Sequence, residues 1–396
     1  MNKKLMAVAV AGALAAPAVA LAQSTSSVQI FGTMYMEYSF VNQGRALNGF
    51  DPANADILQT PGSEIGIRGE EKLGGSMSAW FQCASTADPR GVSSNGFCTR
   101  NSAVGLKGGF GNLFVGNWDT PFKRTIASVG GRDTGIFGTA FLLTGNSTTV
   151  TEGASPGVFK RRQRNLITYD SPTFGGFQAM GAFSSTNSST ATTNNSAVSK
   201  PRIWSLGATY KGYGLDIGAA YERHTEAYPN VAAGAAPATF AGDESGYHLS
   251  VAYTFRTVKF GGTYTQQKAD TGVGANAKVK AWLLGAEWNI AGPHNLHGSY
   301  TQADDVTGTV GATIGGGVVG GAANLRPAVT GLGNTGAKLW QLRYLYDFSK
   351  RTTGTIGYVH LKNDSAAAYS LGGLGYAAAA GGSKQSAVAL SITHKF

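Results

Sequence analysis

The chain has 396 residues, of which 42% are hydrophobic and 57 are glycine, and its formal net charge is +10. This composition is too apolar for a disordered chain, and the basic residues form no block of about five like charges, so the chain lacks the basic stripe of nucleic-acid-binding proteins. After the N-terminal segment, no stretch approaches the roughly 18 consecutive apolar residues that a membrane-spanning helix requires.

The first predicted element is an export signal at residues 1–22. Lys3 and Lys4 precede an Ala/Val/Leu run, which ends in a small-x-small sequence at 20–22. A basic start, an apolar run and a small-residue cleavage site are typical of a secretory signal peptide. A single membrane anchor is the alternative, because the apolar run is long, but Pro17 and the cleavage site favour the signal.

The remainder, residues 23–396, is predicted to form one all-β domain. Apolar and polar residues alternate in VQIFGTMYMEYSF from Val28, in YHLSVAYTF from Tyr247, in KLWQLRYLYDF from Lys338 and in the C-terminal SAVALSITHKF. Such alternation gives each strand one apolar and one polar face. Without the two signal lysines, this domain carries 30 basic and 22 acidic residues, a charge of +8.

The connections between these strands alternate between short and long. Seven short turns are predicted, at 71–76, 107–112, 170–177, 211–214, 255–258, 290–294 and 347–352. Eight long connections rich in small residues are predicted, at 42–62, 84–97, 119–160, 185–201, 224–245, 267–278, 303–337 and 363–384. Fifteen connections join sixteen strands.

An even number of antiparallel strands with tight turns at one end and long loops at the other indicates an outer-membrane β-barrel. The short turns are then periplasmic and the long loops extracellular. A barrel must close, because an unpaired strand edge in hydrocarbon costs several kcal/mol per group. We therefore expect the last strand, which ends at Phe396, to pair with the first.

Two cysteines, Cys83 and Cys98, occur in a chain that is predicted to be exported. Oxidation is expected in that compartment, so the pair is predicted to form a disulfide across the second extracellular hairpin. The alternative is a reactive or metal-binding pair, but the neighbouring sequence offers no further ligands.

Five stretches in order resemble the trimeric general porins of Gram-negative bacteria, and among these the type of Burkholderia- and Neisseria-like organisms. They are SVQIFGTMY from Ser27, GSEIGIRGEEKLGG from Gly62, RNSAVGLKGGFGNLFVGNWDTPF from Arg100, RNLITYDSPTFGGF from Arg164 and the terminal Phe396. The resemblance implies a homotrimer in the cell outer membrane with a water-filled lumen for passive diffusion. It also implies that the outer-membrane assembly machinery reads the terminal strand.

The third long loop of that family folds into the barrel and narrows it, and by order this loop is 119–160. The resemblance implies a constriction between this loop and basic wall positions. The candidate wall residues are Arg68, Arg100, Arg162 and Arg164; the candidate loop residues are Lys123, Arg124, Arg132 and Asp133; the other lumenal candidates are Glu64, Thr33 and Tyr35. Glu64 departs from the pattern, because Arg usually follows the serine at position 63.

Side-chain alternation supports part of this assignment. If Ile65, Ile67 and Ile167 face lipid, the residues of opposite parity face the lumen, among them Glu64, Arg68, Arg162 and Arg164. Each arginine has an alternative role as a structural charge near the rim, bonded to loop carboxylates.

From these charges we expect a porin with weak to moderate anion preference for small hydrophilic solutes and ions. Seven positive candidates (Arg68, Arg100, Arg162, Arg164, Lys123, Arg124 and Arg132) outnumber four acids (Glu64, Asp119, Asp133 and Glu152). In a narrow aqueous passage such a surplus raises the local anion concentration.

Three alternatives remain open from the sequence: a substrate-specific channel, a barrel enzyme and an adhesin. The barrel enzyme would need a nucleophile elbow with a histidine partner, and no such motif stands out in the sequence, so no catalytic residues are assigned. No cofactor or metal is expected, since His294 and His297 flank a predicted turn. The predicted partners are outer-membrane lipid, further copies of the chain and small solutes, and no nucleic acid.

Overall fold

The computed structural model describes residues 27–49, 51–91, 96–126, 129, 134–139, 159–185, 202–229, 241–272, 275–309, 333–371 and 381–396. The signal-peptide prediction for 1–22 lies outside these residues. So do the loop candidates Arg132 and Asp133, and Glu152 of the charge count.

Within the described residues the chain forms eighteen strand segments, all paired antiparallel. They are β1 (Ser27–Asn42), β2 (Ala55–Gln59), β3 (Glu64–Gly74), β4 (Met77–Thr86), β5 (Ser102–Gly108), β6 (Gly111–Asp119), β7 (Arg162–Asp170), β8 (Phe177–Ser185), β9 (Arg202–Gly212), β10 (Leu215–Pro229), β11 (Ala241–Phe255), β12 (Val258–Gly272), β13 (Ala275–Ala291), β14 (His294–Ala303), β15 (Thr307–Gly308), β16 (Ala337–Asp347), β17 (Thr352–Asn363) and β18 (Lys384–Lys395). The helical pieces are α1 (Pro121–Arg124) and a 3₁₀ turn at Gly135–Gly138. No helix in the described part is long and apolar enough to cross a membrane.

Sixteen of these strands form a closed barrel wall, which confirms the predicted architecture. Strand β1 pairs with β3 on one side and with β18 on the other, so the sheet has no free edge there. The two remaining segments are accessory: β2 pairs with the upper part of β1, and β15 pairs with two residues of β13.

The closing seam depends on Phe396 and Gly32. The backbone N–H of each donates to the carbonyl oxygen of the other, at 3.1 Å in both directions. The ring of Phe396 lies where a side chain at position 32 would project, and a Cβ there would also lie 2.6 Å from the Glu64 carbonyl oxygen. Glycine is therefore required at this position, because the two neighbouring strands and the terminal ring leave no room for a methyl group.

The apolar face of the wall points outward. Large apolar side chains on this face are about half exposed, among them Trp204, Leu206, Leu249, Leu342 and Ile392. Their neighbours of opposite parity are buried and mostly small or polar, for example Ser205, Ser250, Gln341 and Ala389. This is the inverse of a soluble barrel and fits a wall surrounded by lipid.

The short turns lie where the sequence predicts them, but one long loop does not exist. Strands β12 and β13 pair through residues 268–270 and 276–278, where the sequence predicts a loop at 267–278. Similarly, β10 extends to Pro229 and β11 begins at Ala241, which shortens the predicted loop 224–245. The prediction was wrong because it ended each strand where the apolar alternation ends, whereas a hairpin that projects beyond the bilayer into water needs no apolar face.

The predicted disulfide is confirmed. Cys83 on β4 is bonded to Cys98, with the two Cα atoms 4.7 Å apart and a sequence separation of 15. The bridge closes the second long loop against the barrel wall, and in the chain-entropy model a loop of this length gains about 3 kcal/mol.

We predict that Gly32→Ala destabilises the closing seam, because the added methyl group meets the Phe396 ring and the Glu64 carbonyl oxygen. Overpacking of this kind costs about 1–3 kcal/mol. Thermal unfolding of the folded barrel, followed by the shift between folded and unfolded bands on a gel, should show a lower midpoint.

Gly298→Ala on β14 is the matched control, since the nearest side-chain atom to a Cβ there is 3.6 Å away, an ordinary contact. An equal loss of stability in the two variants would contradict the role given to Gly32.

Candidate functional site

The described parts of the third loop lie inside the barrel and cross it from one wall to the opposite one. The loop leaves β6 through α1, whose Phe122 is fully buried against the inner face of β9 and β10. The Phe122 N–H donates to Ser205 Oγ at 3.1 Å. His248 Nε2 lies 3.0 Å from the Phe122 carbonyl oxygen and 2.9 Å from Thr125 Oγ1. These bonds fix the start of the loop to the wall.

The tip of the loop, residues 134–139, is fixed to the opposite wall by one carboxylate. Glu37 on β1 is fully buried, and it accepts hydrogen bonds from the Ile136 N–H at 3.0 Å, from Ser39 Oγ at 3.0 Å, and from Tyr35 Oη and Gln59 Nε2. Three of its donors are neutral side chains of β1 and β2 and the fourth is the loop backbone, so the carboxylate joins wall and loop.

The backbone conformation at the tip requires a glycine. Gly135 has φ +66°, and a Cβ there would lie 2.7 Å from the Tyr35 hydroxyl oxygen. Beyond it, Phe137 is buried and the Arg343 guanidinium lies over its ring, with 5.4 Å from Cζ to the centroid. The tip is therefore held by a buried carboxylate on one side and a cation–π contact on the other.

A second inward segment supports the same side of the lumen. Residues 364–371, within the predicted last long loop, turn into the barrel, and Ala367, Tyr369 and Leu371 are buried together with Ile136 and Phe137. Asn363 Nδ2 donates to the Tyr369 carbonyl oxygen at 2.8 Å. Parity could not predict this segment, because it is not a strand.

The returning limb of the loop packs on a buried group of charges. The Phe159 ring stacks on His224, with 4.8 Å between centroids, and His224 lies between the carboxylates of Glu222 and Glu244. The adjacent Arg161 is fully buried; burial lowers the pKa of its guanidinium, and the two carboxylates oppose that shift. No role for these residues is predicted from the sequence.

Three of the predicted basic residues lie together where the loop leaves the wall. Arg100 Nε bonds Glu64 Oε2 at 2.5 Å, and Lys123 Nζ bonds Asp119 Oδ1 at 2.9 Å. Arg162 Nε lies 3.6 Å from the same Asp119 oxygen and donates to an amide oxygen of Asn101 at 2.6 Å. We call Arg100, Lys123, Arg162, Glu64 and Asp119 the basic cluster.

The basic cluster carries one net positive charge, from three cations and two carboxylates. Burial lowers the pKa of the Lys123 ammonium, and the Asp119 carboxylate opposes that shift. Both carboxylates of the cluster lie on wall strands, Glu64 on β3 and Asp119 on β6, and the loop cation Lys123 reaches Asp119.

The other predicted basic residues lie elsewhere. Arg124 makes a bidentate pair with Asp170 at 2.9 and 2.6 Å. The carboxylate neutralises its charge, so Arg124 does not add to the excess of positive charge in the lumen. Arg68 lies four residues below Glu64 on β3, about 13 Å away at the usual strand rise. It donates to Gln29 Oε1 at 3.1 Å and covers the Phe31 ring at 5.1 Å.

Arg164 lies in an irregular part of β7. The pairing of β6 with β7 shifts register between Gly116 and Trp118, and Asn165 has φ +54°. Alternation counted from Ile167 therefore does not continue through to Arg162, because an extra residue changes the face that follows it.

Two further predicted lumenal residues lie on β1, at the level of the loop tip and below it. Tyr35 is buried and bonds Glu37 and, at 3.4 Å, the Thr134 carbonyl oxygen. Thr33 is half-buried and pairs in register with Glu64 on one side and Lys395 on the other.

Sequence reasoning missed a set of lumenal residues on β16 to β18 and in the turn between β16 and β17. Arg343, Lys350, Arg351 and Lys395 line one cavity below the loop tip. The alternation along β16 could have identified Arg343, because this residue lies on the face opposite to the apolar Leu342 and Tyr344. The others lie in or beside a short turn, where the period-two pattern ends.

No group of three or more potential metal-ligating side chains occurs in the described residues.

A model of the Gram-negative porin family matches residues 7–367 of the chain. Outer membrane porin protein 32 of Delftia acidovorans is 28% identical over 411 aligned positions that span the whole of both chains.

Solved structures agree on the fold. An anion-selective porin from Comamonas acidovorans superposes with a TM-score of 0.69 at 22% identity, over 94% of this chain and all of the other. OmpT of Vibrio cholerae in its trimer form gives a TM-score of 0.60 at 12% identity, over 94% of this chain and 99% of the other.

We predict that Glu37→Gln releases the loop tip. The substitution removes the charge and turns an acceptor into a donor that faces the Ile136 N–H and the Tyr35 hydroxyl, at a cost of about 1.5–3 kcal/mol for each bond lost. Single-channel recordings should show a larger or more variable open-state current than in the unchanged protein.

Glu71→Gln serves as the control, because Glu71 is exposed on β3 near a short turn and far from the loop tip. A steady current of unchanged size in Glu37→Gln would show that other contacts hold the tip.

Proposed function

The chain belongs to the Gram-negative porin family, and we propose that its lumen conducts small hydrophilic solutes and ions passively, with a weak to moderate preference for anions. The protein is an outer-membrane porin. The observation that supports the anion preference is the excess of cations over carboxylates along the lumen wall. The anion selectivity of the similar Comamonas porin agrees with this excess.

Positive charge exceeds negative charge at two levels of the lumen. The basic cluster carries three cations against two carboxylates, where the loop leaves the wall. Below the loop tip, four further cations line the lumen. In a water-filled passage with low-dielectric walls, such charges act over about a Debye length and enrich anions along the path. Glu64 and Asp119 limit the preference at the upper level.

The alternatives are not favoured. Membership of the porin family does not support an enzyme or an adhesin, because members of this family are passive channels. A sugar-specific channel would need a continuous aromatic path. The described lumen has a cluster of Trp80, Phe114 and Trp118 on β4 and β6, with ring centroids 5.3–5.8 Å apart, but the rings pack on one another and Arg124 covers Phe114.

Three further features complete the proposal. Residues 1–22 act as an export signal and are removed, since their sequence has the order of a secretory signal. The mature chain assembles as a homotrimer, as the trimer form of the similarly folded OmpT suggests. The assembly machinery of the outer membrane reads the C-terminal strand, which ends at Phe396 and closes the barrel.

We predict that Arg100→Ser and Arg162→Ser each shift the reversal potential in a salt gradient toward cations, because each removes the net positive charge of the basic cluster. Glu64→Arg should shift it in the opposite direction, by changing that charge from +1 to +3. We expect a change of about twofold or more in the anion-to-cation permeability ratio.

Arg223→Ser is the control for these variants. Arg223 pairs with Asp243 and lies on the outer face of β10, beside the exposed Tyr221. If the lumenal variants shift the reversal potential no more than this control, the basic cluster does not set the selectivity.

A further inference from the structure

A cavity of about 230 Å³ opens on the lumen below the loop tip. It is lined by Tyr35, Thr134, Phe137, Arg343, Leu345, Lys350, Arg351, Thr353, Thr355, Ser391, Thr393 and Lys395. We call it the vestibule site. Its roof is the loop tip, and its floor is the short turn between β16 and β17.

The strand register places a patch of hydroxyl groups on the wall of the vestibule site. Thr353 pairs with Thr393 and Thr355 with Ser391, so four hydroxyls lie on the lumenal face of β17 and β18. Tyr35 continues this row on β1, because it pairs with Thr393. Tyr35 Oη already donates to Glu37 and Thr353 Oγ1 to Asp347, so Thr355, Ser391 and Thr393 are the hydroxyls of this patch that can donate to a solute.

Four cations surround this hydroxyl patch, and no carboxylate lines the cavity. The Lys395 N–H donates to the Arg351 carbonyl oxygen at 2.9 Å, which keeps the two residues adjacent across the turn. Arg343 is held by the Phe137 ring. Among the described residues, Lys350, Arg351 and Lys395 form no ion pair.

Two carboxylates outside the lining, Glu37 and Asp347, accept hydrogen bonds from residues of the vestibule wall. Glu37 accepts the bonds of the loop tip and its wall neighbours. Asp347 accepts from Thr353 Oγ1 at 2.7 Å and from Asn295 Nδ2 at 2.9 Å. The four cations of the lining outnumber these two carboxylates, which leaves a surplus of positive charge at the vestibule site.

We propose that the vestibule site binds a small dianion, such as inorganic phosphate or a short dicarboxylate, while it passes through the lumen. Guanidinium and ammonium groups that flank fixed hydroxyls match an oxyanion with two charges and several acceptor oxygens. A chloride ion carries one charge and can use only part of this set of donors. The cavity is smaller than the usual pocket for a drug-sized ligand, so it selects small solutes. This inference rests on the proposed function and adds a solute class to it.

The test measures chloride current through single channels of the purified, folded porin in a planar bilayer, with inorganic phosphate added to the bath. A dianion bound at the vestibule site obstructs the path of chloride. Added phosphate should therefore reduce the chloride current, and the reduction should saturate as the phosphate concentration rises. Succinate is added in a parallel series. Saturable block by both solutes assigns the site to dianions in general, and block by phosphate alone assigns it to phosphate-type oxyanions.

The variant that tests the site is Arg351→Ser combined with Lys395→Ser. Loss of charged hydrogen bonds should raise the half-blocking phosphate concentration by roughly tenfold or more. Arg351→Lys retains the charge and should retain most of the block. Arg256→Ser is the matched control, since Arg256 lies in the short turn between β11 and β12 and does not line the cavity.

The outcomes separate this inference from the proposed function. A wild-type channel that conducts chloride but shows no saturable block by phosphate or succinate overturns the vestibule site and leaves the porin function intact. Block that is equally strong in the double variant also overturns it. A folded protein that opens no channel overturns the proposed function, and the vestibule site with it. The gel shift between folded and unfolded bands shows that each variant has folded.

Discussion

The structure depends on one constraint: a strand in hydrocarbon must find a partner for every backbone N–H and C=O. A sheet can satisfy this only by closing on itself, so the first and last strands must meet in register. The mutual bonds of Gly32 and Phe396 complete that closure at the end of the chain. The absence of a side chain at position 32 and the aromatic residue at position 396 are thus two halves of one contact.

Closure has a second consequence, because it creates an interior that is not a hydrophobic core. A sixteen-stranded wall is too wide for its own side chains to fill. The inner face therefore carries small and polar residues, and chain segments enter the lumen to occupy part of it. The third loop can lie there only because buried polar groups on the wall receive its backbone: Ser205 and His248 at its start, and Glu37 at its tip.

Charge in this lumen is organised in layers. Where the loop leaves the wall, cations and acids alternate closely, and most of the positive charge is paired. Below the loop tip the cations of the vestibule site lie beside hydroxyls. Charges that are paired position the loop and contribute little field at a distance, whereas a group of like charges along an aqueous path attracts counter-ions. The upper layer therefore fixes the loop and adds only its small surplus of positive charge to the path, whereas the lower layer presents cations to it.

The sequence by itself determined the barrel, the strand number, the short turns and the disulfide, because period-two alternation and turn residues are local signals that the bilayer enforces on every strand. It also indicated that Tyr35 faces inward. Tertiary structure alone decided which charges meet. Arg124 is paired with Asp170, 46 residues away, and Arg100 with Glu64, 36 residues away, because barrel closure and the path of the third loop bring them together. The bulge near Arg164, the extended hairpin of β12 and β13, and the grouping of Arg343 with Lys395 also depend on register across strands, and no period within one strand carries that information.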